Sequence, residues 1–130
     1  MKLVLCCGVF DILHPGHVLH LQAARGLGDR LVVALTGDQF VNKGPDRPVH
    51  SQEQRELVLR ALRCVDDVVV YEAPTPAAVI QAMKPDIYCK GVDYFGQHLV
   101  EQDLVEALGG RVYFTTTPKL SSSALVERMQ

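Results

Sequence analysis

At 130 residues the chain is long enough for one domain with a single core, since a chain of this size buries roughly two-thirds of its unfolded surface on folding. With 48% hydrophobic and 22% charged residues, and seven prolines spread between apolar runs, the composition excludes a disordered or low-complexity chain. A formal charge of -2 with no basic run excludes a nucleic-acid arm, and no apolar stretch approaches the roughly 18 residues of a membrane span, so an anionic ligand has to be caught locally.

The first predicted element is a buried strand over residues 2–7. Its apolar start resembles a leader peptide ending at cysteine, but the run meets Asp11 and His14 too soon and continues into a helix. A helix is predicted over 16–27 and a β-branched strand over 30–36. Next comes a helix over 51–62, opened by a capping box of Ser51 and Gln54 and carrying Leu57, Val58, Ala61 and Leu62 as its apolar stripe. A strand over 67–71, a helix over 76–83, a strand over 86–89, a helix over 99–108, a strand over 111–116 and a last helix over 122–129 complete the chain. This alternation predicts an α/β fold of βαβ units: a Rossmann-like open parallel sheet of about five strands with helices on both faces, all 130 residues forming one domain. Ligands in such folds bind beyond the carboxyl ends of the strands, in the loops 8–15, 37–50, 72–75, 90–97 and 117–121.

Four cysteines, Cys6, Cys7, Cys64 and Cys89, show no paired C-x-x-C spacing and read as buried free thiols in a reducing cytosol, with Cys6 and Cys7 as packing residues. His14 and His17 lack a third ligand at a useful spacing, so no metal site is expected there. His20 is expected to face solvent or packing neighbours.

The chemistry concentrates in the first loop, Gly8-Val9-Phe10-Asp11-Ile12-Leu13-His14-Pro15-Gly16-His17. A glycine permits a tight turn, Pro15 suits a first helical turn, and a helix N-terminus attracts anions. His14 and His17, three apart, project to one side and can both reach a phosphate placed there. The long loop 37–50 adds Lys43 and Arg47, and Arg55 follows on the next helix; guanidinium groups bind phosphate bidentately. For Arg55 the alternative is an ion pair with a carboxylate on its own helix. Asp11 either approaches a metal ion or caps the first helix.

Gly8-x-Phe10-Asp11-x-x-His14-x-Gly16-His17 resembles the signature of the cytidylyltransferase-like nucleotidyltransferases. The likeness continues through 27–33, through Lys43 with Arg47-Pro48-Val49 and Glu53-Gln54-Arg55, through Lys84-Pro85-Asp86-Ile87 with Lys90-Gly91-x-Asp93-Tyr94, and to Ser121-Ser122-Ser123. The resemblance implies a nucleoside monophosphate transferred from a triphosphate to a phosphorylated small-molecule acceptor, with pyrophosphate released. It implies catalytic roles for His14, His17 and Lys43 and nucleotide contacts from Gly8, Val9, Phe10, Asp11, Gly16, Gly91, Asp93, Tyr94, Ser121, Ser122 and Ser123. Phosphate or acceptor contacts fall to Arg47 and Arg55. A magnesium ion held mainly by nucleotide phosphates, a homodimer and a cytoplasmic setting are implied as well, with neither nucleic acid nor membrane as partner. Within the family the chain is most similar to the adenylyltransferase domain that makes ADP-heptose from heptose 1-phosphate. Glycerol-3-phosphate cytidylyltransferase, an FAD synthetase-like enzyme and a non-catalytic nucleotide sensor are the alternatives.

Overall fold

The computed structural model describes residues 1–41, 47–91 and 100–115. The element order is β1 (Leu3–Gly8), α1 (Pro15–Arg25), β2 (Arg30–Thr36), a 3-10 turn (Asp38–Phe40), α2 (Gln52–Arg60), β3 (Asp67–Tyr71), α3 (Ala77–Met83), β4 (Ile87–Lys90), α4 (Val100–Ala107) and β5 (Arg111–Phe114). The end of the predicted last strand at Thr116 and the helix expected over 122–129 lie outside the described residues.

All five strands are parallel, in the order β3-β2-β1-β4-β5. β1 and β2 read as nearly unbroken apolar runs because both of their faces are covered, as parallel sheets require. Alternate side chains feed two cores. Val4, Cys6 and Val33 pack with Leu21 and Ala24 of α1 and Leu59 of α2. Leu5, Cys7, Val32 and Ala34 pack on the opposite face with Ile80 of α3 and Val105 of α4.

The capping box at the start of α2 is present: Ser51 Oγ accepts from Gln54 N at 3.3 Å, and Gln54 Oε1 accepts from Ser51 N at 3.0 Å. The apolar stripe expected on this helix is displaced. Leu57 and Val58 are exposed, at 71% and 46%, whereas Arg55 and Leu59 are buried and Leu62 packs against the same core. The inward row is thus 55, 59 and 62, a helical spacing centred on a charged residue that a hydrophobic pattern cannot register.

The chain runs outward from β1 through β2 to β3, then crosses back to place β4 and β5 on the other side of β1. Neighbouring loops diverge where the order reverses, and the resulting crevice lies between the carboxyl ends of β1 and β4, at Gly8 and Lys90.

Candidate active site

The loop from β1 to α1 is held in an uncommon conformation. Phe10 has a left-handed φ of 48°, and its ring lies over Gly8; a Cβ on Gly8 would lie 2.9 Å from Phe10 Cε2, so a larger residue there would have to displace the ring. Asp11, buried at the turn, accepts from Val49 N at 2.8 Å, His50 N at 2.9 Å and Arg47 Nε, and thereby fastens this loop to the segment ahead of α2. Burial raises the Asp11 carboxyl, but the amides of His50 and Val49 and the Arg47 guanidinium outweigh it and leave its pKa below the ordinary value.

The cap of α1 falls to His14, and Asp11 takes no part in it. His14 has extended backbone, its Nδ1 accepts from Gly16 N at 3.1 Å, and Pro15 opens the first turn. His17 Nδ1 in turn accepts from His14 N at 3.4 Å, closing a capping box built from two imidazoles. Because Nδ1 is an acceptor in both rings, the neutral imidazoles carry their hydrogens on Nε2. The rings stack with centroids 3.9 Å apart and planes 23° apart, and the Phe10 edge meets His17 at 5.4 Å. Capping therefore fixes the tautomer of both rings, leaving an Nε2–H on each beside a helix N-terminus, with His14 Nε2 buried in this structure.

The structure brings Gly8, Val9, Phe10, Asp11, His14, Gly16, His17 and Arg47 together around this loop. Gly91 stands across the crevice at the end of β4. Lys43, Asp93, Tyr94, Ser121, Ser122 and Ser123 lie outside the described residues.

Arg55 is placed differently from the phosphate role expected of it. Its side chain is fully buried, and Nη1 donates to Val9 O at 2.9 Å and Thr36 O at 2.8 Å, Nε to His50 O at 3.1 Å and Nη2 to Asp38 Oδ1 at 2.6 Å. The ion-pair alternative holds in kind, but the carboxylate belongs to the 3-10 turn and not to α2. The fork ties the β1–α1 loop, the end of β2 and the start of α2 into one frame, so Arg55 supports the site from beneath.

A pocket of about 230 Å³ opens on the other side of the β1 end, lined by Cys7, Gly8, Tyr71, Pro76, Lys90 and Glu101 among others. Sequence reasoning did not assign Tyr71, Lys90 and Glu101 to the site. Tyr71 and Lys90 are the last residues of β3 and β4, a position that points toward such a site, and Lys90 also opens the loop 90–97 singled out in the sequence. Tyr71 Oη lies 2.8 Å from Thr36 Oγ1, which donates to Gly8 O at 3.2 Å, so the pocket wall and the histidine loop share a frame. Burial pushes the Cys7 thiol up to about 11, against the Tyr88 hydrogen bond and the Lys90 charge, so it is protonated at neutral pH and packs as expected.

Residues 5–128 match the cytidylyltransferase-like family. The chain belongs to that family. It is 48% identical over 132 residues to the bifunctional protein HldE of Gluconobacter oxydans, covering 99% of this chain and 28% of that protein. The HldE of Mesorhizobium japonicum is 53% identical over 107 residues, which is 81% of this chain and 22% of that one. The chain thus spans about a quarter of the curated relatives it matches. Among solved structures, the lipopolysaccharide core biosynthesis protein from Thermoplasma volcanium superposes with a TM-score of 0.74 at 28% identity, over 93% of this chain and 99% of that one. Pantoate-beta-alanine ligase from Francisella tularensis, at 16% identity and a TM-score of 0.59 over 93% of this chain and 61% of its own, shares the fold.

The family is one of nucleotidyltransferases, and the loop between β1 and α1 has a one-sided polarity. It presents amide and imidazole hydrogens, while its one buried carboxylate, Asp11, is engaged by Arg47, Val49 and His50. Among the described residues no helix is long and apolar enough to cross a membrane.

Proposed function

We propose that the chain is a single nucleotidyltransferase domain that moves the adenylyl group of ATP onto the phosphate of a sugar 1-phosphate, heptose 1-phosphate, and releases pyrophosphate. The observation that carries this reading is the pair of stacked histidines with Nε2–H donors at the N-terminus of α1.

A phosphate oxygen of the acceptor attacks the α-phosphorus as the bond from that phosphorus to the bridging oxygen breaks, and pyrophosphate departs with the electron pair. The attacking phosphate monoester is already ionised near neutral pH, so no general base is needed. His14 and His17 donate to the phosphate oxygens on which charge grows, and Lys43 adds a cation from the loop ahead of α2. Arg47, held beside the loop by Asp11, adds positive charge at its edge. Gly8, Val9, Phe10 and Gly16 let the backbone approach the nucleotide. Gly91, Asp93 and Tyr94 receive its base and ribose, and Ser121, Ser122 and Ser123 hold phosphate. A magnesium ion, if carried in on the phosphates of ATP, would supply neutralisation of the charge on the leaving pyrophosphate.

The acceptor occupies the pocket at Tyr71, Lys90 and Glu101, where an ammonium, a carboxylate and a phenol suit a sugar phosphate with several hydroxyls. The identity shared with the HldE proteins and the likeness to a lipopolysaccharide core biosynthesis protein support ATP and a heptose phosphate over the cytidylyl and flavin alternatives. The working form is a cytoplasmic homodimer.

The test is pyrophosphate release with magnesium and either ATP or CTP, against heptose 1-phosphate, glycerol 3-phosphate and flavin mononucleotide. Turnover is expected with ATP and heptose 1-phosphate, and loss of turnover in His17→Ala. Turnover with CTP and glycerol 3-phosphate alone, or tight nucleotide binding with no pyrophosphate from any pair, refutes the proposal.

A further inference from the structure

Three soft ligands meet behind the histidine loop, in a place the transfer reaction does not use. Cys6 of β1 and Cys89 of β4 are register partners on adjacent strands, so their side chains leave the same face of the sheet together. Both are fully buried in the core that includes Leu21 and Ala24 of α1. His20 projects from α1, and one of its ring nitrogens and the two Sγ atoms all lie within 4.8 Å of one another.

We propose that Cys6, His20 and Cys89 form a binding site for a thiophilic metal ion, zinc, which clamps α1 to the centre of the sheet. A tetrahedral zinc ion with Zn–S near 2.3 Å and Zn–N near 2.0 Å sets its ligands about 3.5 to 3.8 Å apart, so the three groups need close by only roughly 1 Å. Rotation about the side-chain bonds of two cysteines and one histidine supplies that movement without shifting a strand.

The surroundings prepare the imidazole. Thr115 Oγ1 donates to Lys90 O at 3.5 Å and lies 2.8 Å from His20 Nδ1, so the ring nitrogen facing it is the donor and Nε2 keeps its lone pair. A hydrogen bond of this kind behind a ligating histidine sets the tautomer a metal requires. Burial and the neighbouring Lys90 charge lower the pKa of His20, which keeps the ring neutral. The Cys6 thiol is raised by its hydrogen bond to Cys89 and by burial, so without metal it is protonated. Binding one zinc ion releases one proton from each thiol, and the two thiolates then cancel the ion's two charges inside the core. The fourth coordination place, on the part-exposed side at His20, takes solvent.

His20 lies one turn beyond His17 on the same helix, so the ion would fasten the helix that carries the phosphate donors. This site is independent of the identity of nucleotide and acceptor.

The experiment uses the full chain, reduced and stripped of metal by chelation, titrated with cobalt(II) and then with zinc(II). One equivalent of cobalt is expected to give sulfur-to-cobalt charge-transfer absorption together with the visible bands of a tetrahedral ion, displaced by one equivalent of zinc. Cys89→Ala and His20→Gln should weaken binding by at least about 100-fold, and Thr115→Val by about 10- to 100-fold as a partner behind the ligand. Cys64→Ser and His17→Ala should bind as the parent does. Absence of thiolate-to-cobalt absorption in the folded parent overturns the proposal, as does retention of the bands in His20→Gln or their loss in Cys64→Ser. Circular dichroism of each variant separates a lost ligand from a lost fold.

Discussion

Replacing Arg55 by methionine keeps most of the side chain's volume and removes its fork, which strands the carbonyls of Val9, Thr36 and His50 in the interior. A buried acceptor deprived of its partner costs about 1 to 3 kcal/mol, and some of the three will be relieved by water. The Asp38 carboxylate is 39% exposed and rehydrates, so its share of the ion pair counts for little. The sum is about 3 to 5 kcal/mol, the range found when one member of a buried pair is deleted. For a domain of this size that lowers the melting temperature by roughly 10 to 15 °C. Arg55→Lys keeps the charge but cannot span acceptors on three segments, and should fall between parent and methionine variant. Urea and thermal unfolding give the stabilities, and pyrophosphate release well below the melting point gives KM for ATP in the folded fraction. Arg55→Met should melt far lower with a KM within about threefold of the parent, because a group that only frames the loop shifts binding little. A variant that melts within about 2 °C of the parent while KM rises tenfold would make Arg55 a phosphate ligand and refute the framing role.

The two functions of His14 are separable: His14→Asn retains an N-cap but loses the ring donor, so kcat should drop about a hundred- to a thousandfold with little loss of stability, whereas His14→Ala loses about 1 kcal/mol as well. Equal melting losses in both would show that capping is not what fixes the ring. Asp11 has a folded pKa below the roughly 3.9 of an unfolded aspartate, so the stability it lends is present above about pH 4 and is lost as pH falls through the folded value. Asp11→Asn should therefore be less stable than the parent at pH 7, with urea midpoints converging as the pH falls below about 4; a constant gap would refute the assignment. Lys90→Met should raise KM for the acceptor about tenfold and leave KM for ATP nearly unchanged, one lost charge-assisted contact being worth about 1.5 kcal/mol. The reverse pattern in initial-rate kinetics would move Lys90 to the nucleotide side.

Local pattern alone was enough for the alternating elements, the parallel sheet, the capping box at Ser51 and the start of α1 at Pro15, because each depends on residues close together in the chain. Spacing brought His14 and His17 to one side of a helix start; it was silent on which ring nitrogen carries the hydrogen, since that follows from amides positioned by the folded turn. The inward face of α2 was misread at Leu57 and Val58 because a buried arginine defines it, and no hydropathy pattern marks an arginine as interior. For Arg55 the pattern left phosphate binding and an ion pair both open, because its acceptors, Val9, Thr36, Asp38 and His50, come from segments up to 46 residues away. The sequence by itself determined the class of fold and the family signature from Gly8 to His17. Tertiary structure alone decided that Arg55 is turned inward onto protein acceptors and which cysteines and histidine meet, because strand order and register place Cys6 beside Cys89 and α1 then lays His20 over them.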